Sequence, residues 1–260
     1  MGWNIFPMWA AIVILIAATS ATLAIIKKER STVAMAMMLL AILGMAGFIA
    51  MLWMVLERPP LRTMGETRLW YSFFLLVAGL FTYYRWQYRW IMLFSTVLAS
   101  VFVIINIVKP EIHDHTLMPA LQSVWFVPHV SVYMFSYSML GCATLLSTVA
   151  LVRRSYNMDI AIEKLLYAGL AFLTMGMLTG SLWAKKAWGA YWSWDAKESW
   201  AVATWGLYLI AIHLAPSVMS SSRRWIYHTT ILLGFLALQM CWYGINYLPS
   251  AETSIHTYNQ

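Results

Sequence analysis

Long apolar runs separated by short polar segments recur along almost the whole chain. Each run is about 20 residues long, which lets a helix cross a hydrocarbon core of about 30 Å with its backbone polar groups paired internally. We predict eight such helices, over 6–26, 33–56, 67–84, 90–108, 127–152, 165–184, 196–214 and 225–247. The pattern therefore predicts an all-α integral membrane protein, a bundle of about eight transmembrane helices.

The composition agrees with lipid as the solvent. Of the 260 residues, 62% are hydrophobic and 10% are charged, against about one-quarter charged in a soluble domain. The net charge of +7 comes from short clusters of cations between apolar runs rather than from a contiguous basic stripe, so we expect a lipid bilayer and no nucleic acid as partner. The two cysteines, Cys142 and Cys241, exclude a disulfide framework and a CxxCH site within the chain.

The distribution of Lys and Arg predicts the orientation of the bundle. Ten of the 17 cations fall in loops on the side of Lys27 and seven on the other side. Because cytoplasmic loops carry an excess of Lys and Arg, this predicts that both termini are extracytoplasmic. The predicted outer segments are 57–66, 109–126, 185–195 and the tail 248–260.

The predicted connection between the sixth and seventh helices is rich in tryptophan. Six of the 15 tryptophans lie between Trp183 and Trp205. An interfacial aromatic belt, the simpler alternative, explains one or two indoles per helix end. Here Trp188, Trp192 and Trp194 are expected within the connection itself, where they would form a flat apolar platform. A broad planar ring system such as a porphyrin buries well against indole faces.

Asp195 and Glu198 are spaced as a capping box. Asp at the N-cap and Glu three residues later satisfy each other's backbone N–H groups. We expect this box to start the seventh helix and to hold the tryptophan segment rigidly against it.

The same segment carries a resemblance to a known family. It resembles the WWD signature of the heme-handling proteins of cytochrome c maturation, and most closely the CcsA (ResC) branch. The matching letters are Trp188-Gly-Ala-Tyr-Trp192-Ser-Trp194-Asp195-Ala-Lys-Glu198-Ser-Trp200-Ala. Further likeness covers Pro119 to Val130 and Gly234 to Asn246. One departure is Ala196, where that branch has Pro after the Asp.

The resemblance implies a set of heme-binding residues. Trp188, Trp192, Trp194 and Asp195 would form the platform, and two histidines would flank it as axial ligands of the heme iron. The positions implied are His129, at the start of the fifth helix, and His256, in the tail. The residues alone, without the resemblance, favour an ordinary interfacial or solvated histidine at both positions. His256 follows Asn246 by a longer interval than the family pattern has.

Other histidines fall elsewhere. The resemblance makes His213 a transmembrane histidine that binds heme on its way across, a second heme site, and the alternative is a histidine hydrogen-bonded at the cytoplasmic interface. His228 is expected to face the interface, so the second ligand there would come from a partner. His113 and His115 are interpreted as part of a solvated turn, the alternative being a metal site.

Taken together, these features predict the heme-handling subunit of a cytochrome c synthase, a component of a heme lyase complex. Residues 1–126 would supply helices and an outer loop, and 127–260 the region that presents heme b to an apocytochrome CxxCH segment. The implied partner is a CcsB (ResB)-type membrane protein, in the bacterial cytoplasmic membrane with the site facing outside rather than in the thylakoid. The alternatives are a CcmC-like heme exporter, a membrane b-type cytochrome and a non-catalytic scaffold.

Overall fold

A computed structural model describes residues 2–27, 30–113, 123–154, 157–215, 223–242 and 244–249. Within these ranges the protein is helical, without strands. The long helices are α1 (Phe6–Ile26), α2 (Thr32–Leu56), α3 (Met64–Trp86), α4 (Arg89–Val108), α5 (Phe126–Arg153), α6 (Asp159–Trp188), α7 (Ala196–His213) and α8 (Arg224–Trp242). Each overlaps one predicted helix, and α6 is longer than predicted at both ends.

Local hydrogen bonds explain where several helices begin. The Ser31 hydroxyl accepts the N–H of Ala34 at 3.2 Å and starts α2. Thr63 and Glu66 form a capping box at the start of α3. Such bonds satisfy backbone N–H groups that have no partner inside the helix. The sequence therefore fixes these ends through contacts three residues apart.

Six of the eight helices are long and apolar enough to cross a membrane. The two others are α3 and α7. Each carries charged residues in its first turns, Glu66 and Arg68 in α3 and Lys197 and Glu198 in α7. The described residues thus form a helical protein whose composition fits a membrane.

The packing of α1 distinguishes lipid from water as its surroundings. Its small residues Ala17 and Ala21 are fully buried, whereas Ile12 and Leu15 are 57% and 68% exposed. Small side chains inside and large apolar ones outside allow helices to approach closely while their outer surface meets lipid. A water-soluble helix would have the opposite arrangement.

The first compact unit, Met1–Thr116, contains α1 to α4. In it α1 packs against α2 and α4, and α3 packs along α4. At one end the His113 ring stacks on Trp3, with ring centroids 3.8 Å apart and planes 7° apart. Its Nε2 lies 3.4 Å from Oδ1 of Asn106. The expectation of a solvated turn is therefore wrong for His113, which is packed, while His115 lies outside the described residues.

The second compact unit, Leu117–Gln260, contains α5 to α8. In it α5 packs against α6 and α8, and α7 packs against α6 and α8. The tryptophan-rich connection joins α6 to α7 within this unit.

Candidate functional site

The candidate site begins where α6 ends. This helix continues four residues past its predicted end, so Trp188 is its last helical residue and not, as expected, part of the connection. Gly189 follows with φ +85°, and its N–H donates to the carbonyl oxygen of Lys185 at 3.1 Å. Only glycine adopts this left-handed conformation without strain. The connection is therefore 189–195, and it starts with a sharp turn.

Trp192 and Trp194 lie in this connection and contact each other edge to face. Their ring centroids are 5.8 Å apart with an interplanar angle of 83°. Trp194 is 69% exposed. The Nε1 atom of Trp192 is buried and has no hydrogen-bond partner among the described residues. An exposed indole beside a buried indole N–H without an acceptor suits a large apolar ligand that has polar substituents.

Asp195 and Glu198 form the predicted capping box. The Asp195 carboxylate accepts the N–H of Lys197 at 3.2 Å, and the Glu198 carboxylate accepts the N–H of Asp195 at 3.1 Å. The box confirms the prediction for the start of α7. It also shows that Ala196 serves as the first helical residue.

His129 lies in the first turn of α5, packed against α6. Its Nδ1 donates to the carbonyl oxygen of Gly176 at 2.8 Å. A neutral imidazole that donates from Nδ1 carries its lone pair on Nε2, and a carbonyl partner of this kind is common for metal-binding histidines. The hydrogen bond therefore sets the tautomer that an iron ligand needs.

Trp183 connects His129 to the end of α6, a role that the sequence interpretation missed. It is 4% exposed. Its ring stacks on that of His129 with centroids 5.3 Å apart, and contacts Trp188 edge to face at 4.8 Å. The signal lies in the spacing, because Trp183 follows Gly180 by three residues and Gly176 by seven, which is one face of a helix.

Glycines of α6 make the contact with α5 possible. A Cβ atom on Gly180 would lie 2.7 Å from Cε1 and Nδ1 of His129, and one on Gly169 would lie 2.6 Å from Cδ2 of Leu140. Real Cβ atoms do not approach other atoms this closely. The absence of side chains at these positions therefore determines where the His129 ring sits.

The other two described histidines of this unit lie elsewhere. His213, in the last turn of α7, is exposed and donates from Nδ1 to the Leu209 carbonyl oxygen at 2.8 Å. His228 is fully buried, which corrects the expectation that it faces the interface. Its Nε2 lies 3.3 Å from Oδ1 of Asp159. Arg224 lies 3.3 Å from the other oxygen of Asp159.

Of the residues predicted to hold heme, the structure connects His129 with Trp188 through Trp183 and pairs Trp192 with Trp194. The second predicted axial ligand, His256, lies outside the described residues. Within the described ranges no group of three or more His, Cys, Asp or Glu side chains converges to hold a metal ion.

Comparison with known proteins gives a consistent result. The sequence profile of the family described as Cytochrome C assembly protein matches residues 3–251. The chain is similar to the cytochrome c biogenesis protein CcsA of Trachelium caeruleum, with 27% identity over 83% of this chain and 82% of the relative. It is 26% identical to CcsA of Oenothera biennis over 84% of both chains.

A third relative has a higher identity over a shorter length. CcsA of Chlamydomonas reinhardtii is 31% identical over 63% of this chain and 48% of its own length. Because the family profile covers nearly every residue, from the first helix to the tail, the chain belongs to the cytochrome C assembly protein family.

Proposed function

We propose that this protein is the heme-handling subunit of a cytochrome c synthase. In this proposal it moves heme to the outer membrane face and presents it for thioether attachment to an apocytochrome c. Membership of the cytochrome C assembly protein family supports a role in cytochrome c maturation. The observation that carries the heme site is the stacking of the His129 imidazole on Trp183, which in turn contacts Trp188 at the edge of the tryptophan-rich connection.

His129 would ligate the heme iron through Nε2. The carbonyl oxygen of Gly176 accepts from Nδ1 and orients the ring, and Trp183 supports its face. His256 is the proposed ligand on the opposite face. Two neutral imidazoles are a common axial set for b-type heme, and they would protect the iron while the vinyl groups react.

Trp188, Trp192 and Trp194 would cover the porphyrin face, with Asp195 fixing the segment to α7. The described residues fit this role because they offer one half-buried indole, one exposed indole and a buried indole N–H that still requires an acceptor. A thioether forms when a cysteine S–H adds across a vinyl double bond, so one C–S and one C–H bond form and no oxidant is consumed. The protein's contribution to this step is positioning.

A second heme site at the inner end is proposed around His213. The His213 ring is exposed, so a ligand from a partner protein could reach it, and its Nδ1 donates to the Leu209 carbonyl oxygen. His228 is the buried alternative at that end. Separate His213→Ala and His228→Ala variants distinguish them by which one lowers the heme content.

The proposed setting is the bacterial cytoplasmic membrane, with eight crossings, both termini outside and a CcsB-type membrane partner. The relatives in Trachelium, Oenothera and Chlamydomonas make a thylakoid membrane the alternative.

The test is purification of the full chain with its bound heme, followed by His129→Ala and His256→Ala, singly and together. We expect each single variant to lose most of the heme and the double variant to lose cytochrome c maturation. His113→Ala is the control, because that ring packs in the other compact unit. Unchanged heme content and unchanged maturation in the double variant would overturn the proposal.

A second measurement separates synthase from exporter. A strain that lacks only the synthase is complemented with this gene and its partner. A synthase subunit restores holocytochrome c, whereas a protein that only passes heme to a carrier does not.

A further inference from the structure

The carboxylate of Glu198 binds more than the capping box requires. Its Oε2 accepts the N–H of Ser193 at 2.8 Å, the N–H of Asp195 at 3.1 Å and the hydroxyl of Ser193 at 3.2 Å. A capping box needs only the second of these bonds. Glu198 is 8% exposed, so its charge is stabilised mainly by these donors.

The two backbone N–H groups that Glu198 binds lie on either side of Trp194. Trp194 has φ +59°, the left-handed region that a bulky residue rarely adopts. In that conformation neighbouring N–H groups converge and form a small anion-binding concavity, which here is filled by the chain's own carboxylate. The Ser199 hydroxyl donates to the Trp194 carbonyl oxygen at 3.3 Å and holds the other side of the turn.

The consequence of this turn is the position of the Trp194 indole. The ring is 69% exposed, although it belongs to a large apolar side chain and contacts Trp192 along one edge. An extended backbone at Trp194 would point the side chain in a different direction, because the Cβ direction depends on φ. The exposed ring therefore occurs together with the left-handed turn, and Glu198 accepts the N–H groups on both sides of that turn.

We propose that Glu198 is a positioning residue, whose buried carboxylate holds the left-handed turn at Trp194 and thereby presents this indole to bound heme. The statement about heme rests on the proposed function. The statement about the turn does not. Glu198 acts here only through Trp194 and does not touch the ligand.

The first experiment tests the turn without heme. Oxidative footprinting with mass spectrometry measures the oxidation rate of Trp194 relative to Trp225, which is 55% exposed in α8. We expect Glu198→Ala to lower this ratio, because the released backbone returns to negative φ and the ring folds back. Glu163→Ala is the matched control, since the Glu163 carboxylate lies near the start of α6 and accepts the Tyr167 hydroxyl at 3.1 Å.

The second experiment measures heme binding to the purified full chain by absorbance titration. We expect Glu198→Ala to weaken binding about tenfold and to shift the Soret band. Glu198→Gln should retain the heme affinity and the Soret band of the unaltered chain, because its amide oxygen can accept the N–H groups of Ser193 and Asp195 together. Because Glu198 acts through Trp194, the double variant with Trp194→Ala should bind no more weakly than Trp194→Ala alone.

The outcomes separate the two proposals. An unchanged footprint in Glu198→Ala overturns the positioning role whether or not heme binds. A changed footprint in a chain that binds no heme leaves the positioning role standing and refutes the proposed function. Additive losses in the double variant would show that Glu198 acts by stabilising α7 rather than through Trp194. If Glu198→Ala is not recovered folded, Glu198→Asp replaces it, because the shorter side chain withdraws the carboxylate from Ser193.

Discussion

At the scale of single residues, the candidate site depends on positions without side chains as much as on the aromatic rings. His129 fits against α6 only because Gly180 lacks a Cβ atom, and its Nδ1 reaches the backbone of Gly176 for the same reason. The position of the His129 ring of α5 is therefore determined by the glycines of α6.

Gly180→Ala tests this dependence. Alanine in place of a helical glycine usually stabilises a protein by about 0.5–1 kcal/mol. Here the added Cβ would lie 2.7 Å from the His129 ring. We therefore expect the opposite sign, a loss of about 1–3 kcal/mol in the free energy of unfolding, as for overpacked cores. The measurement is denaturation of the purified protein in detergent, with heme content recorded in parallel.

Gly206→Ala provides the control, because a Cβ atom there would meet nothing within 4 Å. This variant should be neutral or slightly stabilising. Equal effects of the two substitutions would contradict a specific contact between Gly180 and His129.

At the scale of secondary structure, an ion pair between Asp159 and Arg224 connects the first turn of α6 to the first turn of α8. Asp159, in the first turn of α6, is 6% exposed and faces Arg224, the first residue of α8, and His228, one turn later. A carboxylate near the N-terminus of its helix also interacts favourably with the helix dipole. This ion pair connects the start of α6 to the start of α8.

Asp159→Asn should lower the free energy of unfolding by about 1.5–3 kcal/mol, because the partly buried Arg224 guanidinium loses its charged hydrogen-bond partner. The check is again denaturation in detergent. Glu163→Gln, one turn further along α6 and half-buried, is the matched control and should change stability by less than about 0.5 kcal/mol. A loss no larger than that of the control would mean that the ion pair is not structural.

At the scale of the whole molecule, the distribution of exposed apolar side chains fits lipid around the helices of each compact unit. Large apolar residues such as Leu15, Leu43 and Leu236 are more than half exposed. The orientation of the protein in a membrane remains a prediction from loop charge.

Cysteine labelling in intact cells tests the predicted orientation. Lys186 and Arg153 are both exposed, and the charge rule places Lys186 outside and Arg153 inside. We expect Lys186→Cys to react with a membrane-impermeant maleimide in intact cells, and Arg153→Cys to react only after permeabilisation. The unaltered chain, with Cys142 buried and Cys241 partly buried, provides the background. The reverse pattern would place the tryptophan segment in the cytosol.

The sequence alone determined the features that depend on neighbours in the chain. The eight helices were predicted because a 20-residue apolar run has few alternatives in lipid. The capping box of Asp195 and Glu198 was predicted because its hydrogen bonds join residues three apart. The end of α6 was placed too early because Lys185, Lys186 and Trp188 are polar or interfacial, although the helix continues through them to Gly189.

Only the tertiary structure decided which side chains from different helices meet. His228 and His213 both occupy helix-end positions in the sequence, yet one is buried beside Asp159 and the other is exposed. The role of Trp183 as the link between His129 and Trp188 was likewise hidden, since it depends on the packing of α5 against α6. Packing between distant segments depends on side-chain volume and helix rotation together, which hydrophobic periodicity alone does not specify.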